Sequence, residues 1–188
     1  SLAVAGGDGR LSVFDLRAGR LLALSDPLDD EILSLTLLKN GRKLLCGCQS
    51  GVVGIFSWGD FGDVSDRLVG HPESVDAMVP LTGDTMITGS SDGMLRLVGV
   101  HPNKVLGLVG DHDDMPVERL AIDHSSDVLG SCSHDNSVRL WDIAYLRELR
   151  HDAKGIKGQR RKGGDGAASD SDDTGAEEGE EGEEGEEE

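Results

Sequence analysis

Basic residues, aromatic residues and long apolar runs are all scarce in this chain of 188 residues. No apolar stretch approaches the roughly 18 residues of a membrane span, and no signal-peptide pattern opens the chain, so we expect an intracellular soluble protein. With 18 Lys and Arg against 36 Asp and Glu, the chain lacks the basic footprint that counterion release requires. Direct binding to nucleic acid or to an anionic membrane is therefore not expected.

Cysteine is also rare, and its three copies form no metal or redox motif. Cys46 and Cys48 are one residue too close for a Cys-x-x-Cys pair, and all three cysteines, including Cys132, lie in apolar runs, which predicts buried thiols. Three histidines, at positions 101, 124 and 151, have no spacing suited to a metal and are predicted to be exposed loop residues. We expect no metal and no cofactor.

The sequence does contain an internal repeat. The turn residues of four similar segments are separated by 42, 42 and 43 positions, and a bulky apolar residue follows five positions after each turn. The turn residues are Gly9, Gly51, Gly93 and Asn136, and the apolar residues are Phe14, Phe56, Val98 and Trp141. A fixed period of this length is typical of propellers and solenoids.

Each copy predicts about four short strands, because apolar runs and period-two alternation surround every turn. Residues 1–150 are therefore predicted to be an all-β propeller fragment of three and a half to four blades, divided at 1–30, 31–70, 71–112 and 113–150. Seven such blades need on the order of 290 residues, so we expect further blades upstream in the full protein. Residues 151–188 are predicted to form a separate acidic tail.

The corners of these units resemble the WD-repeat family, whose blades carry Gly-His before the first strand and Trp-Asp at the end of the third. The corresponding pairs are Gly70-His71, Gly110-Asp111-His112 with one insertion, and Trp141-Asp142. Beyond the general repeat, "SWGDFGDVSDR" (57–67), "HPNKVLGLVGDH" (101–112) and "MPVERLAI" (115–122) closely resemble the WD-repeat protein 55 family, especially its plant members.

The resemblance implies a structural hydrogen-bond network in each complete blade, made by a histidine, a Ser or Thr, the turn aspartate and the tryptophan. The fourth unit would use His112, Ser131, Asp135 and Trp141. The third would keep His71, Thr88 and Asp92 and would lose the aromatic ring at Val98.

A hydrolase built on Ser133, His134 and Asp135 is the alternative interpretation of the same stretch. It is disfavoured because neighbouring residues of an extended strand point to opposite faces and cannot converge as a triad. No nucleophile elbow or phosphate-binding glycine loop occurs in the sequence either. We therefore predict that the protein is not an enzyme.

The resemblance also implies a function. The family is associated with the nucleolus and with ribosomal RNA production, which predicts a protein-interaction scaffold, and its plant members with a cullin-4 ubiquitin ligase through the damaged-DNA-binding adaptor. That adaptor recognises a 16-residue segment ending Trp-Asp-x-Arg. Leu2 to Arg17 has the length and the arginine, with Phe14 in place of Trp, whereas the fourth unit ends in Ala144. Arg17 is thus the predicted docking residue.

The tail is predicted to be disordered, because Gly, Ser and like charges bury too little apolar area. Its first part is a predicted nuclear or nucleolar address made of Lys154, Lys157, Arg160, Arg161 and Lys162. Residues 165–188 hold 13 acids and no base, which suits basic protein partners. Ser169 and Thr174 each precede an acid by three residues and are possible phosphorylation sites. We expect a nuclear and nucleolar protein, with some in the cytoplasm.

Overall fold

The computed structural model describes residues 1–146, which form fourteen β-strands in four antiparallel sheets. The strands are β1 Leu2–Ala5, β2 Leu11–Asp15, β3 Arg20–Leu24, β4 Ile32–Leu38, β5 Lys43–Cys48, β6 Val53–Ser57, β7 Asp66–Leu68, β8 Val75–Pro80, β9 Thr85–Ser90, β10 Met94–Gly99, β11 Lys104–Asp111, β12 Val117–Ile122, β13 Val128–Ser133 and β14 Val138–Asp142.

Consecutive strands pair within each sheet, so every sheet is an up-and-down meander. Sheet 1 contains β1 to β3, sheet 2 contains β4 to β7, sheet 3 contains β8 to β11, and sheet 4 contains β12 to β14. The predicted all-β architecture of propeller blades is confirmed. By position in the repeat, β1 corresponds to β5, β9 and β13, so each of these four strands pairs with the strand that follows the repeat turn.

The repeat turns have one backbone conformation in common. The φ angle is +75° at Gly9, +83° at Gly51, +79° at Gly93 and +60° at Asn136. This left-handed region favours glycine and, next to it, asparagine, because other side chains meet the backbone there. The 42-residue period therefore records a conformational requirement of each tight turn.

Apolar side chains fill the spaces between neighbouring sheets. Leu11, Phe56 and their neighbours join sheets 1 and 2, and Leu45 and Met86 belong to the cluster between sheets 2 and 3. A third cluster, which includes Leu129, joins sheets 3 and 4. The strands β4, β8 and β12 lie side by side along one edge of the assembly. Neighbouring sheets thus bury the apolar faces that they turn toward each other.

Two of the three predicted buried thiols are buried. Cys46 and Cys48 are enclosed, and burial raises the pKa of Cys46 to about 12 and of Cys48 to about 11. The prediction is wrong for Cys132, which is only half-buried because it pairs with the exposed Val138 on the open face of sheet 4.

Residues 1–146 contain no cluster of metal-ligating side chains. They also contain no helix with the length and hydrophobicity needed to cross a membrane.

Candidate functional site

In sheet 4, four side chains from separate elements form one hydrogen-bonded chain. His112 comes from the loop after β11, Ser131 from β13 and Trp141 from β14, while Asp135 lies in the turn between β13 and β14. Nδ1 of His112 is 2.8 Å from Asp135 Oδ2, Nε2 of His112 is 2.7 Å from Ser131 Oγ, and Trp141 Nε1 is 2.8 Å from the same Oγ. The structure brings together all four residues named from the sequence.

The direction of these bonds follows from the donors available. The Trp141 N–H can only donate, so Ser131 Oγ accepts from it and donates its own hydrogen to Nε2 of His112. Nδ1–H of His112 then donates to the carboxylate of Asp135. The bond from His112, with those from Ser137, holds the pKa of Asp135 well below its usual range. Every side-chain nitrogen and oxygen in this hydrogen-bonded network has a partner.

Trp141 requires a glycine on the neighbouring sheet. A Cβ atom at Gly110 of β11 would lie 2.4 to 2.7 Å from three atoms of the Trp141 ring, which is closer than van der Waals contact allows. The glycine that precedes His112 by two positions therefore makes room for the tryptophan that completes the His112 chain. The Gly-Asp-His and Trp-Asp segments are thus parts of one contact.

Sheet 3 has half of this arrangement. Nε2 of His71 is 2.9 Å from Thr88 Oγ1, and Val98 takes the place of the tryptophan. The expected bond to Asp92 is absent, because that carboxylate instead accepts both terminal nitrogens of Arg96, at 2.9 and 2.5 Å. The sequence-based prediction of a third-unit network that includes Asp92 is therefore wrong.

A second carboxylate distinguishes the two sheets. Arg139 of sheet 4 occupies the same place in the repeat as Arg96, but its Nη2 lies 2.6 Å from Asp113 and 3.1 Å from Asp135, and Asp135 still accepts the bond from His112. In sheet 3 the position of Asp113 is taken by Pro72, which has no carboxylate. Arg96 therefore pairs with the turn aspartate.

The consequence for His71 is a weaker set of partners. Its Nε2 lies 2.9 Å from Thr88 Oγ1, and the same hydroxyl makes a long contact of 3.4 Å with the carbonyl of Arg96. Nδ1 of His71 is buried without a well-formed hydrogen bond among residues 1–146. Burial lowers the pKa of His71, and Arg96 lowers it further, whereas Asp92 acts in the opposite direction. The lowered pKa favours the neutral form of His71.

In sheet 2 the network has been replaced by apolar groups. Leu28 takes the place of the histidine, since its N–H bonds to the turn carbonyl of Gly9 as the N–H of His112 bonds to that of Gly93, both at 2.9 Å. The equivalents of Ser131 and Trp141 are Cys46 and Phe56, and both are fully buried. When all partners are replaced together, no buried polar group is left unpaired.

The residues of the hydrolase alternative point to three different partners. Ser133 Oγ donates to the carbonyl of Met115, His134 Nε2 lies 3.0 Å from Glu118, and Asp135 accepts from His112. The three side chains do not converge on a common point.

Arg17 lies in the exposed turn between β2 and β3. Its backbone N–H donates to Asp15 at 2.9 Å, and Leu2 to Arg17 spans β1, the first repeat turn and β2. His101 and His124 are exposed in turns, as predicted. The five bases of the predicted nuclear address, the acidic run, Ser169, Thr174 and His151 lie outside the described residues.

Sheet 4 and the fold as a whole are similar to known proteins. A model of the family described as "WD domain, G-beta repeat" matches residues 103–142, which contain the complete network of sheet 4. A computationally designed protein, Ika4, has a crystal structure that superposes with a TM-score of 0.63 over 76% of this chain and 84% of its own, at 22% identity. That likeness shows the fold alone.

Relatives of known name are more similar in sequence. WD repeat-containing protein 55 of Homo sapiens is 43% identical over 79% of this chain and 39% of its own length. The protein of the same name from Arabidopsis thaliana is 44% identical over 78% and 42%. WD repeat-containing protein JIP5 of Cryptococcus neoformans is 41% identical over 78% and 40%. The chain thus spans about two fifths of the length of these relatives.

Proposed function

We propose that this protein is a non-catalytic scaffold for protein interactions. The chain contains a WD40 repeat and is a homologue of the proteins named WD repeat-containing protein 55. WD repeats imply protein–protein contact. The observation that carries the proposal is the use of the most reactive residue types, His112, Ser131 and Asp135, in a closed structural network.

The nucleolus, and support of ribosomal RNA production there, is the proposed setting. An acidic protein suits basic partners, and proteins of the ribosome assembly pathway are rich in Lys and Arg. The formal net charge of −18 supports contact with such proteins and disfavours contact with RNA itself.

Localisation tests this setting. Replacement of Lys154, Lys157, Arg160, Arg161 and Lys162 by Gln in a fluorescently tagged protein is expected to reduce the nucleolar fraction severalfold. The matched control removes five charges from the acidic run instead, by replacing glutamate with Gln at Glu183, Glu184, Glu186, Glu187 and Glu188. An unchanged nucleolar fraction in the first variant would remove the address from the proposal.

A receptor role in a cullin-4 ubiquitin ligase is the second candidate. It is supported by the 16-residue segment Leu2 to Arg17 and by the exposed position of Arg17, whose guanidinium is able to make charge-assisted bonds to a partner.

Co-purification with the damaged-DNA-binding adaptor tests the second candidate. Arg17→Ala is expected to reduce adaptor recovery at least tenfold. The control is Arg20→Ala, which removes another exposed arginine near the same turn. Equal loss in both variants, or no loss in either, would contradict docking through Arg17.

A further inference from the structure

A cavity of about 210 Å³ opens on sheet 2 and its preceding loop. Its walls include Leu28, Val52, Val64 and Gly54, and Asp29 and Arg67 lie at its margin. This volume is below the roughly 300–1,000 Å³ of small-molecule sites and suits a single inserted side chain.

The internal repeat shows which side chain would fill this space. Gly54 pairs with Cys46, just as Arg96 pairs with Thr88 and Arg139 pairs with Ser131. Each of the three residues follows its turn residue by three positions. Gly54 therefore stands where the two following sheets have an arginine.

The carboxylate that would receive this arginine is present. Asp29 follows Leu28 as Asp113 follows His112, and Asp113 holds Arg139 through a 2.6 Å ion pair. The carboxylate of Asp29 makes no hydrogen bond or ion pair with the other residues of 1–146. Sheet 2 thus keeps the acidic partner and has no base at this position of β6, although Arg67 of β7 pairs with Gly54 and lines the same cavity.

We propose that this cavity, the arginine pocket, binds an arginine side chain from a basic segment of a partner protein. The apolar walls formed by Leu28, Val52 and Val64 would receive the methylene stem, and the guanidinium would reach Asp29. Arginine is favoured over lysine because its planar fork matches a carboxylate with two parallel bonds, as Arg96 does with Asp92.

The charges around the pocket favour a cation. The loop that forms its rim carries Asp26, Asp29, Asp30 and Glu31, and Asp30 accepts hydrogen bonds from Ser50 at the opposite side. Arg67 is the opposing charge. It pairs with Gly54 across the two strands, is exposed, and its guanidinium has no ion pair among residues 1–146, so its charge weakens the attraction.

Binding of short peptides to the full chain tests the pocket. The probe is a fluorescently labelled, acetylated and amidated Ala-Gly-Arg-Gly-Ala, and the controls carry citrulline or lysine in place of arginine. Citrulline keeps the shape of arginine and removes its charge. The arginine peptide is expected to bind at least tenfold more tightly than the citrulline peptide in anisotropy titrations, and equal affinities would overturn the assignment.

Two variants assign the effect to named side chains. Asp29→Asn is expected to weaken the arginine peptide about tenfold, whereas Arg67→Gln is expected to strengthen it, because the opposing charge is lost. Both positions are exposed, so neither change is expected to disturb folding. An affinity that Asp29→Asn leaves unchanged would overturn the proposal.

Gly54→Arg supplies the missing side chain from within. Gly54 does not have a positive φ, and a Cβ atom there would lie 3.3 Å from a Val64 methyl, with Leu28 and Cys46 at ordinary contact distances of 3.9 and 4.0 Å. The variant is expected to abolish peptide binding while the melting temperature stays equal or rises, and Gly54→Ala, the control, is expected to retain binding. Binding that persists in a folded Gly54→Arg protein would contradict the pocket, and if that variant fails to fold, Asp29→Asn and Arg67→Gln decide.

The chain's own basic segment is the other possible source of arginine. If Arg160→Gln with Arg161→Gln raises the affinity for the arginine peptide, the segment competes for the pocket and the partner assignment is overturned. The inference rests on the scaffold role for its biological meaning. The pocket proposal and the scaffold proposal can fail independently. A protein that is nucleolar and recovers its partners normally but binds no arginine peptide would overturn the pocket and leave the scaffold role standing.

Discussion

At the scale of single residues, Ser131 carries more of the network than any other hydroxyl. It is fully buried and serves both His112 and Trp141, whereas Thr88 in sheet 3 serves His71 and a long bond to a carbonyl. Ser131→Ala leaves two buried nitrogens without a partner, and each costs roughly 1–3 kcal/mol.

We therefore expect Ser131→Ala to lower the free energy of unfolding by about 2–4 kcal/mol and Thr88→Ala by about 1–2 kcal/mol. Urea unfolding of both variants beside the wild type measures the difference. Equal losses would show that the sheet 4 chain is not the tighter network.

His71 makes stability depend on pH. Because burial holds its folded-state pKa below the unfolded value of about 6.5, the unfolded state binds the proton first, and stability falls as the pH drops below that value. His71→Leu, which copies Leu28 of sheet 2, should make the melting temperature depend less on pH between about 7 and 5. A pH dependence equal to that of the wild type would contradict the neutral, buried assignment.

At the scale of elements, the contact between β11 and β14 joins sheets 3 and 4 through a glycine and an aromatic ring. Gly110→Ala is expected to destabilise the protein by about 1–3 kcal/mol, because its Cβ atom would overlap the Trp141 ring. Gly107→Ala on the same strand is the control, since nothing lies within 4 Å of a Cβ atom there.

A double-mutant cycle with Trp141→Val, the residue type at the equivalent Val98, separates this contact from the strand's own preferences. The cost of Gly110→Ala should fall by at least half in the Trp141→Val background. An unchanged cost would mean that the glycine serves the backbone of β11 and not the ring.

Elements were predictable to the extent that the period expresses local chemistry. About four short strands were expected in each repeat, and sheets 2 and 3 have four, because turn residues with positive φ recur at the repeat period. The sheet 4 network could also be named, from the resemblance to the WD-repeat family. The switch of Asp92 from His71 to Arg96 could not, because it depends on which neighbouring loop supplies a second carboxylate.

The arginines of sheets 3 and 4 are a second feature of the repeat. Arg96 and Arg139 occur at the same place in two units, and this recurrence is visible in the sequence. The partner of Arg139 is not visible in the sequence, because Asp113 lies 26 positions away and contacts Arg139 only in the folded protein.

At the scale of the whole molecule, the inner sheets and the outer sheets differ. Sheets 2 and 3 are covered on both faces, while Val138 and Leu140 of sheet 4 and Leu2 and Val4 of sheet 1 are exposed apolar side chains. The matched part of this chain covers only about two fifths of the relatives' length, so the partners proposed here concern the longer protein.

The proposed scaffold role requires that this protein hold other proteins together. The decisive measurement is affinity purification of the tagged full-length protein from nuclear extract, with RNase treatment and quantitative mass spectrometry. The scaffold account predicts that proteins of ribosomal RNA production are enriched at least tenfold over a tag-only control, whether or not RNase is added. Loss of every such protein after RNase treatment, or enrichment equal to the control, would contradict it.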